Sequence, residues 1–281
     1  MAQLSLGTCY YAGRGITKNY AKAVEWYQKA ANQGNDAAQC LLGMCYQHGN
    51  GVTQNYAKAI EWYQKAARQG HNVAIGLLKS LNSEIEHTYV DLGLPSGTLW
   101  ATCNIGAVNP EDNGDYFAWG ETEPKNKYDW STYKYANGDG HKLSKYCTKR
   151  DYGNNGFVDD KAYLNFSDDA AYQQWGSDWC MPTFEQYKEL IDKCTWKWTT
   201  KNGKNGYIVI GLSGKSIFLP AADIIWGNNV NTRYYAYWMN NNSEIFPDYA
   251  FCIDFDEGHV IVDAINRRCF GLSVRPVRRN K

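Results

Sequence analysis

The chain of 281 residues carries 29 lysines and arginines against 29 aspartates and glutamates, so composition forces no basic face. That balance gives no support to a nucleic-acid partner or an anionic membrane surface. No run of 18 or more apolar residues is present, which excludes a membrane-spanning helix. The opening Met1-Ala2-Gln3-Leu4 has neither the basic nor the apolar stretch of a signal peptide, so a cytoplasmic location is the expectation.

The length allows two domains, each with its own core. Tyrosine (22) and tryptophan (11) are abundant, and such rings serve both cores and recognition surfaces. The nine cysteines are odd in number and none forms C-x-x-C. Free thiols are expected rather than a disulfide framework.

The first eighty residues repeat with an offset of 36. Leu6-Gly7 returns as Leu42-Gly43, Cys9-Tyr10 as Cys45-Tyr46, and Asn19 to Ala23 as Asn55 to Ala59. Glu25-Trp26-Tyr27-Gln28-Lys29-Ala30-Ala31 recurs unchanged from Glu61 to Ala67. Within a unit, Tyr20, Ala23, Val24, Tyr27 and Ala31 form one helical apolar stripe. Gly13 and Gly15 mark the turn between two helices, and Gly34 or Gly70 closes the second. Gly7 and Gly43 fall inside helices, where glycine costs about 1 kcal/mol against alanine; a neighbouring helix in close approach offsets that cost. Trp26, Tyr27, Trp62 and Tyr63 read as repeat core. This pattern resembles the Sel-one-like repeat, a relative of the tetratricopeptide repeat, over residues 2–70. A partial third unit, with Ala74, Leu77, Leu78 and Leu81 apolar and Lys79 in place of the helix glycine, reads as a cap. Such arrays imply docking of another protein or of further repeats.

Residues 82–87 read as a junction between a first domain (1–81) and a second (88–281). Beyond it the period changes to two. Helices are expected near Asp168–Trp175 and Thr183–Asp192, the latter with Thr183 as N-cap. Strands are expected at Thr195–Thr199, Tyr207–Ile210, Ser216–Leu219, Phe251–Phe255, Val260–Val262 and Leu272–Val277. The fold class expected is therefore α-helical hairpin repeats followed by an α+β domain with a twisted antiparallel sheet.

The segments Tyr89 to Ala107, Gly114 to Thr122, Trp179 to Thr183, Ile217 to Ala222 and Gly271 to Arg278 resemble the major paralogous domain of Bacteroidetes and Fibrobacter surface proteins. More distantly, Met181 to Tyr187 is similar to a segment of formylglycine-generating enzymes. Those enzymes, and the variable proteins of diversity-generating retroelements, have a C-type-lectin-like fold, which the resemblance implies here. The chain departs from the family after Ala222, where Asp223-Ile224-Ile225 replaces Gly-x-Arg. It departs again at Tyr235 to Asn240, where both serines of Gly-x-Tyr-Trp-Ser-Ser are lost. Changes bracketed by an intact framework look like a diversified binding surface. A ligand-binding site is accordingly expected at Asp223, Ile224, Ile225, Asn228, Asn229, Asn231, Arg233, Tyr235, Tyr237, Met239, Asn240, Asn241 and Asn242. A second patch is expected at Asp263, Ile265, Asn266 and Arg267. Adenine-directed mutagenesis of asparagine codons cannot yield Trp, so Trp226 and Trp238 read as framework.

The bland alternatives are a core-packing face for the tyrosines and Trp238, and an ordinary polar loop for the asparagines. His48, His71, His87, His141 and His259 are dispersed, with no paired-ligand spacing. Gly138-Asp139-Gly140 and Asp168-Asp169 lack the spaced oxygens of a calcium loop and read as solvated turns. The enzyme relatives use a cysteine pair, for which Cys252 and Cys269 are the candidates, yet both look like inert strand positions. The expectation is a protein that binds a protein or glycan ligand, with no catalytic residue, metal or cofactor. A non-diversified carbohydrate-binding or assembly domain is the alternative, and a formylglycine-generating-type oxidase the third.

Overall fold

A computed structural model describes residues 2–84 and 87–279. The chain divides into two compact units, residues 1–85 and 86–281. Among the described residues no helix is long and apolar enough to cross a membrane.

The first unit consists of α1 (Ala2–Ala12), α2 (Tyr20–Asn32), α3 (Asp36–His48), α4 (Tyr56–Ala67) and α5 (Asn72–Glu84). The 36-residue offset reappears in the caps. Asn19 accepts from the Lys22 amide at 3.0 Å and Asn55 from the Lys58 amide at 2.9 Å, each satisfying an orphan donor of the first turn. Gly34 and Gly70 take φ of +85° and +84° after α2 and α4, a conformation that costs glycine little. The apolar stripe is buried: Ala23, Tyr27, Ala31, Ala59 and Tyr63 form the cores between helices. Trp62 joins the core, whereas Trp26 stays half-buried with the Lys29 ammonium 4.3 Å from its ring centroid.

The interior glycines have the predicted reason. A Cβ on Gly7 would lie 2.7 Å from Tyr27, and one on Gly43 would lie 2.6 Å from Tyr63. The expected junction begins too early, because α5 continues through Asn82, Ser83 and Glu84; none of these is a glycine or proline that would end it. Met1, Ile85, Glu86, Asn280, Lys281 and the side chain of Lys79 lie outside the described residues. His87 belongs to the second unit, stacked on Trp175 at 3.8 Å.

The second unit holds three antiparallel sheets. One pairs β1 (Tyr89–Asp91), β2 (Leu99–Ala101), β11 (Val277–Arg278) and β3 (Trp179–Cys180), and another pairs β4 (Thr195–Lys201), β5 (Lys204–Ile210) and β6 (Ser216–Pro220). The third runs β10–β9–β8–β7, with β7 Asp223–Trp226, β8 Asn229–Asn242, β9 Tyr249–Asp256 and β10 His259–Arg267. Two short helices complete it, α6 (Ala170–Trp175) and α7 (Phe184–Lys193). Thr183 caps α7 in a reciprocal box with Gln186.

The third sheet is buried on both faces along the second half of β8 and the middle of β9. Tyr237, Ile253 and Phe255 enter one core with Trp100, Tyr187 and Val209. Ala236, Trp238 and Cys252 enter the other, under the loop-rich segment that supplies Phe117, Trp119, Tyr133 and Tyr146. The two indoles lock this segment down: Trp119 Nε1 donates to the Met239 carbonyl at 2.8 Å, and Trp238 Nε1 to the Phe117 carbonyl at 2.7 Å. The expected strand Leu272–Val277 is mostly absent, only Val277–Arg278 pairing as β11. The chain here crosses between sheets: Ser273 accepts from the Trp238 amide, Val274 from Ile105 and Pro276 from Ala101.

The helix glycines give a sign test. Gly43→Ala gains about 1 kcal/mol of helix propensity but drives a methyl into Tyr63, an overpacking that costs about 1–3 kcal/mol. Gly76 of α5 faces open space, so Gly76→Ala carries only the propensity gain. Urea unfolding followed by helical circular dichroism should show a lower midpoint for Gly43→Ala and an equal or higher one for Gly76→Ala. A raised midpoint for Gly43→Ala would refute the close-approach account.

Candidate recognition surface

The two halves of β8 differ in character. Asn229 to Tyr234 are all exposed, whereas Ala236 to Met239 are all buried. The exposed half begins at a two-residue turn, Gly227-Asn228, with Trp226 paired to Asn229. Gly227 has φ +60°, the conformation required at the first position of a type II′ hairpin. The β7 side is anchored: Gly227 exchanges both backbone hydrogen bonds with Tyr128 (2.8 and 3.0 Å), and Ile225 does so with Gly271 (both 2.9 Å).

Opposite β7 the register shifts, with Asp223 paired to Tyr235 but Ile224 to Asn231. Thr232, Arg233 and Tyr234 thus bulge outward. The Asn231 side chain accepts from the Arg233 amide at 3.0 Å, a local bond that stabilises such a bend. The Arg233 guanidinium carbon lies 5.9 Å from the Tyr234 ring centroid.

The expected site residues fall into three groups. Asn228, Asn229, Asn231, Arg233, Asp263 and Arg267 are exposed. Asp223, Ile225, Tyr235, Asn240, Ile265 and Asn266 are half-buried, Tyr235 stacking on Trp198 at 6.1 Å. Ile224, Tyr237, Met239, Asn241 and Asn242 are buried, so they are corrected from an open surface to the interior. Alternation accounts for Tyr237, which shares the Tyr235 face and donates its hydroxyl proton to the Pro220 carbonyl at 2.6 Å. Ile224 and Met239 pack in the two cores that cover opposite faces of the sheet. Asn242 donates to the Tyr146 carbonyl at 3.0 Å, and Asn241 pairs by its backbone with Tyr163. The polar-loop alternative holds for Asn228 in the turn and fails for Asn229, Asn231 and Asn240 to Asn242, which lie in β8.

Sequence reading missed the apolar members of the surface. Trp226 (57% exposed), Val230 (56%), Tyr234 (45%) and Ile261 (51%) stand out from the sheet. Trp226 had been assigned to the framework. Tyr234 and Ile261 line one shallow depression with Asp254 and His259. Their signal was present as period-two alternation: Tyr234, Ala236 and Trp238 share one face, and only Tyr234 lies beyond its cover.

The other candidates are structural. Asp168 and Asp169 are buried, correcting the solvated-turn reading. Asp168 accepts from Lys145 and from the Tyr135 and Tyr146 hydroxyls. Asp169 caps α6 and accepts from the Met181 amide. Asp139 is exposed and accepts from the His141 amide. No group of three or more metal-ligating side chains gathers among the described residues. All nine cysteines are free thiols. Cys252 lies in β9, but Cys269 lies in the turn after β10, and burial raises both, Cys269 to about 12. Neither is a ready thiolate.

Asp254 is the titratable group of this depression that burial shifts. Burial, helped by the Asp256 charge, raises it from 3.8 to about 6, and its Oδ1 is buried without a hydrogen-bond partner among the described residues. A carboxyl raised on folding stabilises the fold fully below its unfolded pKa, and that stability is lost as pH rises from about 4 to about 6. Asp254→Asn should therefore raise stability at pH 7.5 by about 1–3 kcal/mol and change it little at pH 4. Urea midpoints at the two pH values measure this; equal effects at both would contradict the burial account.

The chain matches the Sel1 repeat family over residues 1–35 and 36–71. Among solved structures it is similar to a Sel1 repeat protein from Oxalobacter formigenes, at 42% identity over 30% of this chain and 34% of that one, TM-score 0.29. It is also similar to c5321, a protective antigen of uropathogenic Escherichia coli displaying an SLR fold, at 38% identity over 30% and 18%, TM-score 0.29. Helicobacter pylori cysteine rich protein B matches at 32% identity over 27% and 57%, TM-score 0.26. The chain thus spans about a third and under a fifth of the first two. No curated protein matches it. By its family match, residues 1–71 of this chain are two Sel1 repeats.

Proposed function

We propose that the second unit is a recognition module of C-type-lectin-like fold, of the kind diversified in retroelement variable proteins, and that the Sel1 repeats are its handle. It binds a protein or glycan ligand and catalyses nothing. The observation that carries this reading is the division of β8, in which a buried half anchors an exposed half bearing Asn229, Asn231, Arg233 and Tyr234. The tyrosine gives contact area at low entropic cost, the arginine a planar fork of donors, and the asparagines adaptable hydrogen bonds. Trp226 is the fixed anchor beside them. Diversification is confined to exposed positions such as Asn228, Asn229, Asn231, Arg233, Asp263 and Arg267, because replacing Tyr237 or Met239 costs core packing. The free thiols suit a reducing compartment.

Two measurements test it. The purified chain is screened on glycan and host-protein arrays, and each hit is repeated with Asn231→Ala/Arg233→Ala/Tyr234→Ala. That variant should keep its unfolding free energy in urea within about 0.5 kcal/mol and lose its hits. Hits that survive place the site elsewhere. For diversification, the gene neighbourhood should hold a reverse transcriptase and a near-copy of the region encoding residues 223–268 that differs only at adenines. Absence of both sinks the retroelement reading and leaves the binding reading standing.

A further inference from the structure

The hairpin of β7 and β8 has two edges, and the chain fills only one. In a two-residue turn the flanking residues, here Trp226 and Asn229, bond to each other. Backbone groups then alternate along each strand, inward at one residue and outward at the next. On β7 the outward residues are Ile225 and Gly227. The chain itself meets both, Ile225 exchanging two bonds with Gly271 and Gly227 two with Tyr128. On β8 the residue opposite Ile225 is Val230. Its N–H and C=O therefore point away from β7, and no backbone group among the described residues meets them.

This edge is open because β8 outruns its other neighbour. β9 pairs with β8 from Asn242 only as far as Tyr235, opposite Phe255, and ends at Asp256. Asn229 to Tyr234 continue past that point, with no strand among the described residues in the lane that β9 occupies. Val230 is 56% exposed, and its neighbours Asn228, Asn229, Asn231 and Thr232 are exposed too. An unpaired strand edge is a template for another strand, and proteins blunt such edges with prolines, charges or bulges. None of Asn228 to Asn231 is proline or charged, and the bulge begins only at Thr232.

We propose that this edge takes an extended strand of a partner protein, antiparallel to β8 and in line with β9. The inference rests on the hairpin being the recognition surface, and it narrows the ligand from a protein or glycan to a peptide backbone. Continuity of the sheet identifies the occupant, since further along the same edge β8 already pairs with β9 at Tyr235, Ala236, Tyr237 and Trp238. The partner residue opposite Val230 exchanges both backbone bonds with it. Its side chain rises on the Val230 face, where a β-branched group packs well. The residues on either side of it face Asn229 and Asn231 and are polar. The bulge ends the straight edge, so the ladder is short. Arg233 and Tyr234, standing beyond it, choose among strands that the backbone alone would accept.

The test is amide exchange and NMR titration of the full chain, ¹⁵N-labelled, with acetyl-Thr-Ser-Val-Ser-Thr-amide. In the free chain the Val230 amide should exchange at once, while those of Ile225 and Gly227 are protected. The peptide should give saturable shifts centred on Val230 and slow the exchange of its amide. The same peptide N-methylated at its valine should bind about tenfold weaker, the worth of one backbone hydrogen bond. Val230→Pro removes the outward N–H without touching the β7 ladder and should weaken the peptide by a similar factor. Val230→Thr keeps the N–H and should stay within about threefold. If Val230→Pro does not fold, the N-methylated peptide decides alone. A protected Val230 amide in the free chain, no saturable shift, shifts centred elsewhere, or equal binding of the N-methylated peptide would each overturn strand addition. Failure of the wider reading looks different. Array hits lost with Asn231→Ala/Arg233→Ala/Tyr234→Ala but kept with Val230→Pro uphold recognition by the hairpin and rule out an added strand.

Discussion

Arg275 is the constraint on which the second unit is built. Its side chain is fully buried, and its three nitrogens donate to Asn104 Oδ1 (2.7 Å), the Ala101 carbonyl (3.0 Å) and the Phe218 carbonyl (2.9 Å). A buried charge costs several kcal/mol unless each donor is met, and burial here lowers its pKa. Segments far apart in the chain are therefore held at fixed distances from one guanidinium. Asn104 passes the constraint on, its amide donating to the Tyr237 hydroxyl at 3.2 Å. Arg268 plays the same part on the other side of the sheet, donating to the carbonyls of Tyr146, Pro247 and Lys145 with its guanidinium 4.8 Å from the Trp119 ring centroid.

These two cations explain how one strand serves two purposes. The middle of β8 is held by Asn104 and Pro220 through Tyr237, and by Phe117 through Trp238. The free half inherits that fixity along its backbone while its side chains touch little. Substituting those side chains costs little stability, and ordering them on binding costs less than ordering a loop. A surface that tolerates change needs a base that does not. The arginines and indoles supply that base.

The first unit was legible because its information is local. A helix stripe, a cap and an interior glycine each act within one or two turns, and the 36-residue repetition states every signal twice. The close approach of a helix at Gly43 was predictable from its place inside a helix, and its partner is Tyr63. In the second unit the hairpins and the α7 cap were legible for the same reason. What sequence reading lost was burial. Tyr237, Met239 and Asn242 look like display residues when one face of a strand is assumed to meet solvent. At these residues the sheet is covered on both faces, the second by the segment between Ala101 and Trp179, which has little periodicity to announce it. Asp168 and Asp169 were misread likewise, since the hydroxyls and amides that satisfy them come from residues up to 33 positions away.

The asparagine run at the end of β8 shows what such an error still carries. Asn241 and Asn242 are interior, but they are poor core residues, each with a buried oxygen that bonds to nothing among the described residues. Interiors satisfy nearly all such groups. Asn242 meets that rule with one end of its amide, at the Tyr146 carbonyl, and breaks it with the other. Among the described residues these two are not alone, since Trp100, Thr148, Tyr187, Asn240, Asp248 and Asp254 each hold such an atom too. Asn241 and Asn242 belong to the wall of a cavity at the end of β8, but their orphan oxygens have no surface open to it. Sequence reading placed Asn241 and Asn242 on an open face, and the fold puts both in the interior.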